Sequence, residues 1–149
     1  MNLSFLTLGI TMITGSLLLG QSFKKSRNAI VGFTLFAIGG AGTALVGIFP
    51  ENTVSALHAI GAALPFLVGN VGVVIIGFSL EVPKIFRIYT VVSGSIALAA
   101  LGVYASGHYI GLGEGGLERV VAYPQTIWMI ILGLYSLGIH LPPHRMRRN

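Results

Sequence analysis

Hydrophobic positions form five long unbroken runs, Leu3–Gly20, Ala29–Phe49, Val54–Leu80, Ile88–Ile110 and Ala122–Leu141, separated by short polar or charged connections. None of the runs contains Lys, Arg, Asp or Glu. A hydrocarbon core about 30 Å thick is crossed by roughly 17–25 apolar residues in a helix, so each run is long enough to span it. The runs lack the alternation that a transmembrane barrel requires, and a helix satisfies its own backbone groups without water. The pattern predicts an all-α integral membrane bundle with five transmembrane helices, one polytopic domain over residues 1–149.

Composition excludes the competing classes. The chain is 54% hydrophobic and 9% charged, with a mean hydropathy of +0.85, whereas a soluble surface needs about a quarter charged residues. A soluble enzyme, a disordered chain and a secreted mini-domain are ruled out. There is no cysteine, so disulfides, thiolate nucleophiles and Cys-ligated metals are excluded. No cofactor or metal is expected; a metal or haem site on His58 and His108 is a minority alternative, since no third ligand is evident.

The net charge of +5 is arranged for topology, and nucleic acid is not an expected partner. Lys24, Lys25 and Arg27 lie in the first connection, Lys84 and Arg87 in the third, and Arg145, Arg147 and Arg148 in the tail. The alternate side holds Arg119 alone, with Glu51, Glu114 and Glu118. Basic residues concentrate on cytoplasmic segments. The expected arrangement is therefore N-terminus outside and C-terminus cytoplasmic, multi-pass in the cell membrane, with His140 and His144 at the inner interface. The first run resembles a signal sequence only in length. It has no positively charged n-region, so it is expected to remain as a spanning helix.

Glycines are mostly intrahelical. Gly39, Gly40 and Gly42 in the second run and Gly61, Gly69, Gly72 and Gly77 in the third allow close backbone approach. Packing within the bundle is the first expectation, and a homo-oligomer stays open. Pro65 predicts a kink in the third helix. Gly111 to Gly116 is glycine-rich but does not follow a strand, so a flexible outer loop is expected there rather than a phosphate cradle.

The remaining polar residues gather at the outer ends. Glu51, Asn52, Thr53 and His58 stand at the mouth of the third helix, Tyr104 and His108 at the end of the fourth, and Glu114, Glu118, Arg119, Tyr123, Gln125 and Trp128 around the start of the fifth. His58, Ala62, Pro65, Gly69 and Gly72 share one helical stripe, which turns His58 toward the bundle. A shallow outer cavity is expected where His58, Tyr104 or His108, and Tyr123 converge. Each residue also has an ordinary role: Asn52 or Thr53 as a helix cap, Tyr123 and Trp128 in an aromatic belt, Arg119 in a surface ion pair.

Gly47-Ile48-Phe49-Pro50-Glu51 followed by His58, and Gly116-Leu117-Glu118-Arg119 leading to Trp128, resemble the motifs of the DUF998 family of membrane proteins. The resemblance spans most of the chain. It implies a helical membrane architecture and marks Glu51, His58, Glu118, Arg119 and Trp128, without implying a reaction. Family members usually carry about six spans, so one helix is expected to be missing at the start of this chain. More distantly the chain is similar to six-helix proteins implicated in lipid remodelling.

The functional expectation is a polar outer-leaflet cavity that binds or processes a lipid head group, with membrane lipids as partners. Glu51, His58 and Glu118 are the candidate acid–base groups; Arg119, Tyr104, His108, Tyr123 and Trp128 are the candidate ligand contacts. No nucleophile is evident, which leaves enzyme status open. A small-solute transporter or channel and a non-catalytic assembly partner are the alternatives.

Overall fold

The computed structural model describes residues 2–23 and 26–140, with backbone alone for 139 and 140. Lys24, Lys25, His144, Arg145, Arg147, Arg148 and the His140 side chain lie outside the described residues. The elements are α1 (Asn2–Ser22), α2 (Arg27–Ile48), α3 (Ser55–Ala63), a π-helical segment (Leu64–Gly69), α4 (Asn70–Ser79), α5 (Lys84–Ala105) and α6 (Glu114–His140). The segment from Ser55 to Ser79 runs as one span, so among the described residues five helices are long and apolar enough to cross a membrane. Among the described residues there is no strand. The exterior is apolar, with Leu3, Leu18, Phe78, Ile85, Ile130 and Leu134 among the exposed side chains. A surface of this kind suits hydrocarbon and would aggregate in water. The chain is a multi-pass helical membrane protein.

Three boundaries differ most from the reading of the apolar runs. The fourth helix begins at Lys84, because Pro83 supplies its N-cap geometry and the first turn lies at the interface, where charge is tolerated. It ends at Ala105, and the backbone then turns through positive φ at Gly107. The fifth helix begins at Glu114, well before Ala122, with that acid in its first turn where it complements the helix dipole. Gly115 and Gly116 are therefore helical, and the outer loop is confined to 106–113.

The expected cap of the third helix is also corrected. Val54 is its N-cap and makes no side-chain cap bond. Thr53 instead closes a tight turn, donating both its N–H and its hydroxyl to the Pro50 carbonyl at 2.9 and 2.7 Å. Neither Asn52 nor Thr53 caps α3. The perturbation expected at Pro65 takes the form of the π-helical segment, because proline has no N–H to continue the α-helical ladder. Such segments recur at functional sites.

Helix α2 is the centre of the bundle and uses two glycine faces. A Cβ at Gly40 would meet Met12 Cβ of α1 at 2.8 Å, whereas a Cβ at Gly42 would meet the Gly61 carbonyl and Leu64 Cβ at 2.5 Å. The first face seats α1 and the second seats the third span at its π-helical segment. Helix α5 packs on α4, and α6 returns along α5 to reach the π-helical segment and α1.

The solid core fills one half of this bundle. Phe33 and Phe36 of α2, Val73 and Ile76 of α4, and Trp128 and Leu132 of α6 form a continuous buried cluster. All lie toward the end bearing Arg27, Lys84 and Arg87. The opposite end, which carries Glu51, Glu114, Glu118 and Arg119, is packed less completely.

Candidate functional site: a blind cavity at the acidic end

Between α1, α2, α3 and α6 lies a cavity of about 690 Å³, within the range of roughly 300–1,000 Å³ common for small-molecule sites. Its mouth carries Asn2, Glu51, Asn52, His58, Glu118 and Arg119. Its walls are apolar, with Phe5, Leu8, Val46, Ala62 and Phe66. Its floor is set by Met12, Thr43, Pro65 and Gln125. From Asn2 to Met12 the lining of α1 extends about 15 Å at helical rise, half the thickness of a hydrocarbon core. Beneath the floor the Phe36–Trp128 cluster closes the bundle.

His58 is half-buried and lines the mouth. Its Nδ1 lies 3.1 Å from the Phe49 carbonyl. A carbonyl only accepts, so Nδ1–H donates, and a neutral ring then keeps its free lone pair on Nε2. The bond also satisfies the carbonyl of the α2 C-cap residue, one of the acceptors that a helix end leaves open. The chain turns at Pro50–Thr53 so that His58, one turn into α3, faces back toward the residue that ends α2. The small-residue stripe below it is half-buried at Ala62 and buried at Pro65, Gly69 and Gly72.

Helix α6 supplies the other wall. Because it starts at Glu114, Glu118, Arg119 and Tyr123 all stand on regular helix at the mouth. Arg119 is exposed, and its Nη1 donates to the Gly115 carbonyl at 3.1 Å. It forms no ion pair among the described residues, so the expected pairing with Glu114 or Glu118 is replaced by a bond to its own helix. Glu51 is exposed, Glu118 half-buried and Tyr123 55% exposed.

Three predicted residues stand apart from the cavity. Tyr104 packs with Tyr109 and with the small cluster of Ala100, Leu117 and Val121. Its hydroxyl donates to Glu114 Oε1 at 3.3 Å, which ties α5 to the start of α6. His108 is not one helical turn beyond Tyr104, because the helix has already ended; it is exposed in the loop, with Nδ1 3.1 Å from the Ser106 carbonyl. Trp128 belongs to the core rather than to an interfacial belt. It is 1% exposed, donates Nε1–H to Thr90 Oγ1 at 3.0 Å, and meets Phe36 edge-on at 5.1 Å.

Conversely, the floor was not foreseen. A fifth helix starting at Ala122 would put Gln125 at the interface; from Glu114 it lies about 16 Å into α6. Met12, Thr43 and the α1 wall carry no sequence signal at all, since an apolar lining and an apolar core read alike.

No curated protein and no solved structure matches the chain significantly. The family described as protein of unknown function DUF998 matches residues 1–135, which takes in all five spans up to the last turns of α6. The chain belongs to the DUF998 family.

Proposed function

We propose that the cavity receives the head group of a membrane lipid or a related amphiphile, with the apolar body of the ligand along the α1, α2 and α6 walls. The observation that carries this reading is the gradation of the lining, from charged mouth to apolar walls, in a cavity closed at about mid-membrane depth. Arg119, free of a carboxylate partner among the described residues, suits a phosphate or carboxylate oxygen. With the N-terminus outside, the mouth opens to the outer leaflet. The packed half beneath Gln125 weighs against a conducting path.

If the protein also processes its ligand, His58 is the residue to test first. Its Nδ1–H is committed to the Phe49 carbonyl, an arrangement that orients Nε2 as a base. Glu51 and Glu118 line the same mouth and are the available carboxylates. Native mass spectrometry of the detergent-purified protein tests the binding reading. Arg119→Gln should lower occupancy by an anionic lipid about tenfold, since one charge-assisted hydrogen bond contributes about 1.5–3 kcal/mol. Equal occupancy in wild type and variant would remove Arg119 from the site.

A further inference from the structure

The floor of the cavity carries a polar group that its surroundings leave unused. Gln125 is 3% exposed, lines the cavity, and its Oε1 is enclosed without a hydrogen-bond partner among the described residues. Buried polar groups are almost always paired, because an unmade bond costs the full desolvation of the group. The site around it is shaped for the amide. A Cβ at Gly69 would come within 2.9 Å of Gln125 Oε1, so glycine at that position makes room for it. Thr43 does not serve it, since the Thr43 hydroxyl lies 3.1 Å from the Gly39 carbonyl and 3.6 Å from Met12 Sδ. The lining is thus polar at the mouth, apolar along the walls and polar again at the floor.

A ligand complementary to this order has two polar groups separated by an apolar stretch. Along α6, Gln125 lies six residues below Arg119, about 9 Å. The geometry points to an amphiphile whose chain carries a hydroxyl about 9 Å beyond its head group, hydrogen-bonded by the Gln125 amide. A hydroxyl suits either presentation of that amide, donating to its oxygen or accepting from its nitrogen. An unsubstituted hydrocarbon chain would leave the amide unpaired in an apolar site. This inference rests on the lipid-binding reading and narrows it to hydroxylated chains.

The test is a binding comparison on the detergent-solubilised full chain. The probes are a fatty acid with a mid-chain hydroxyl and the unsubstituted acid of equal length. Wild type should bind the hydroxy acid about tenfold more tightly, the ratio expected of one hydrogen bond worth about 1.4 kcal/mol. Gln125→Met, similar in length but apolar, should bind the two acids equally. Gly69→Ala, which pushes on the amide from behind, should reduce the preference as a second, independent variant. Equal binding of both acids by wild type would overturn the inference and leave the lipid reading standing. Binding of neither acid nor any lipid would overturn both.

Discussion

The indole N–H of Trp128 donates to the Thr90 hydroxyl at 3.0 Å, and this bond joins α5 to α6 one turn below the cavity floor. Thr90 in turn donates to the Phe86 carbonyl at 2.9 Å, so each hydroxyl function has its partner. The pair forms part of the plug that makes the cavity blind. Trp128→Phe removes the bond and some ring volume while leaving Thr90 bonded to Phe86. It should destabilise the protein by roughly 1–3 kcal/mol, read as a lower unfolding temperature in detergent, with lipid occupancy unchanged. A selective loss of ligand at unchanged stability would return Trp128 to the binding site.

Gln125→Met should have the opposite effect on stability. Replacing a buried, unpaired amide by an apolar chain of similar length relieves a desolvation cost of about 1–3 kcal/mol. A higher unfolding temperature in the ligand-free protein is the expected result. A fall would show that the amide is already paired within the fold. Stability gained at the expense of ligand discrimination is the usual mark of a binding residue.

A packed glycine and an open one separate cleanly by experiment. Gly42→Ala places a methyl 2.5 Å from the Gly61 carbonyl and 2.8 Å from Pro65 Cδ. Backbone cannot yield as a flexible side chain does, so a loss of about 1–3 kcal/mol or more is expected. Gly102→Ala meets nothing within 4 Å, and alanine is the better helix former by about 0.5–1 kcal/mol. Thermal unfolding of the two variants should therefore shift in opposite directions.

Orientation rests on the basic asymmetry and is open to direct labelling. The chain has no cysteine, so single cysteines at Asn28 and Leu112, both exposed, report opposite ends of the bundle. An impermeant thiol reagent on intact cells should label position 112 and spare position 28. The reverse pattern would place the cavity mouth on the cytoplasmic side.

The helices were legible because hydrocarbon imposes one rule on every spanning residue, and five unbroken apolar runs obey it. The ends were less so. Lys84, Arg87, Glu118 and Arg119 interrupt apolarity but not helicity, since interfacial turns carry charge freely; apolarity alone therefore starts α5 and α6 late. That error moved Gln125 to the surface and hid its depth. The stripe through His58 placed the imidazole on the packed face, but the Phe49 carbonyl that orients it comes from the turn at Pro50. His108 was misplaced by one positive-φ glycine, Gly107, which periodicity cannot register. The cavity itself is a matter of how α1, α2, α3 and α6 come together, and an apolar wall leaves the same sequence pattern as an apolar core.

Photocrosslinking tests the central claim, a lipid seated in the cavity, most directly. A lipid carrying a photoreactive group within its acyl chain is added below stoichiometry to delipidated protein, and the adducts are mapped by peptide sequencing. Adducts are expected inside the cavity, at Leu8, Met12, Phe66 or Ala122, and should disappear in Ala122→Trp, whose indole would fill the space. Adducts confined to outward-facing residues such as Ile130 and Leu134, unchanged by Ala122→Trp, would contradict the claim.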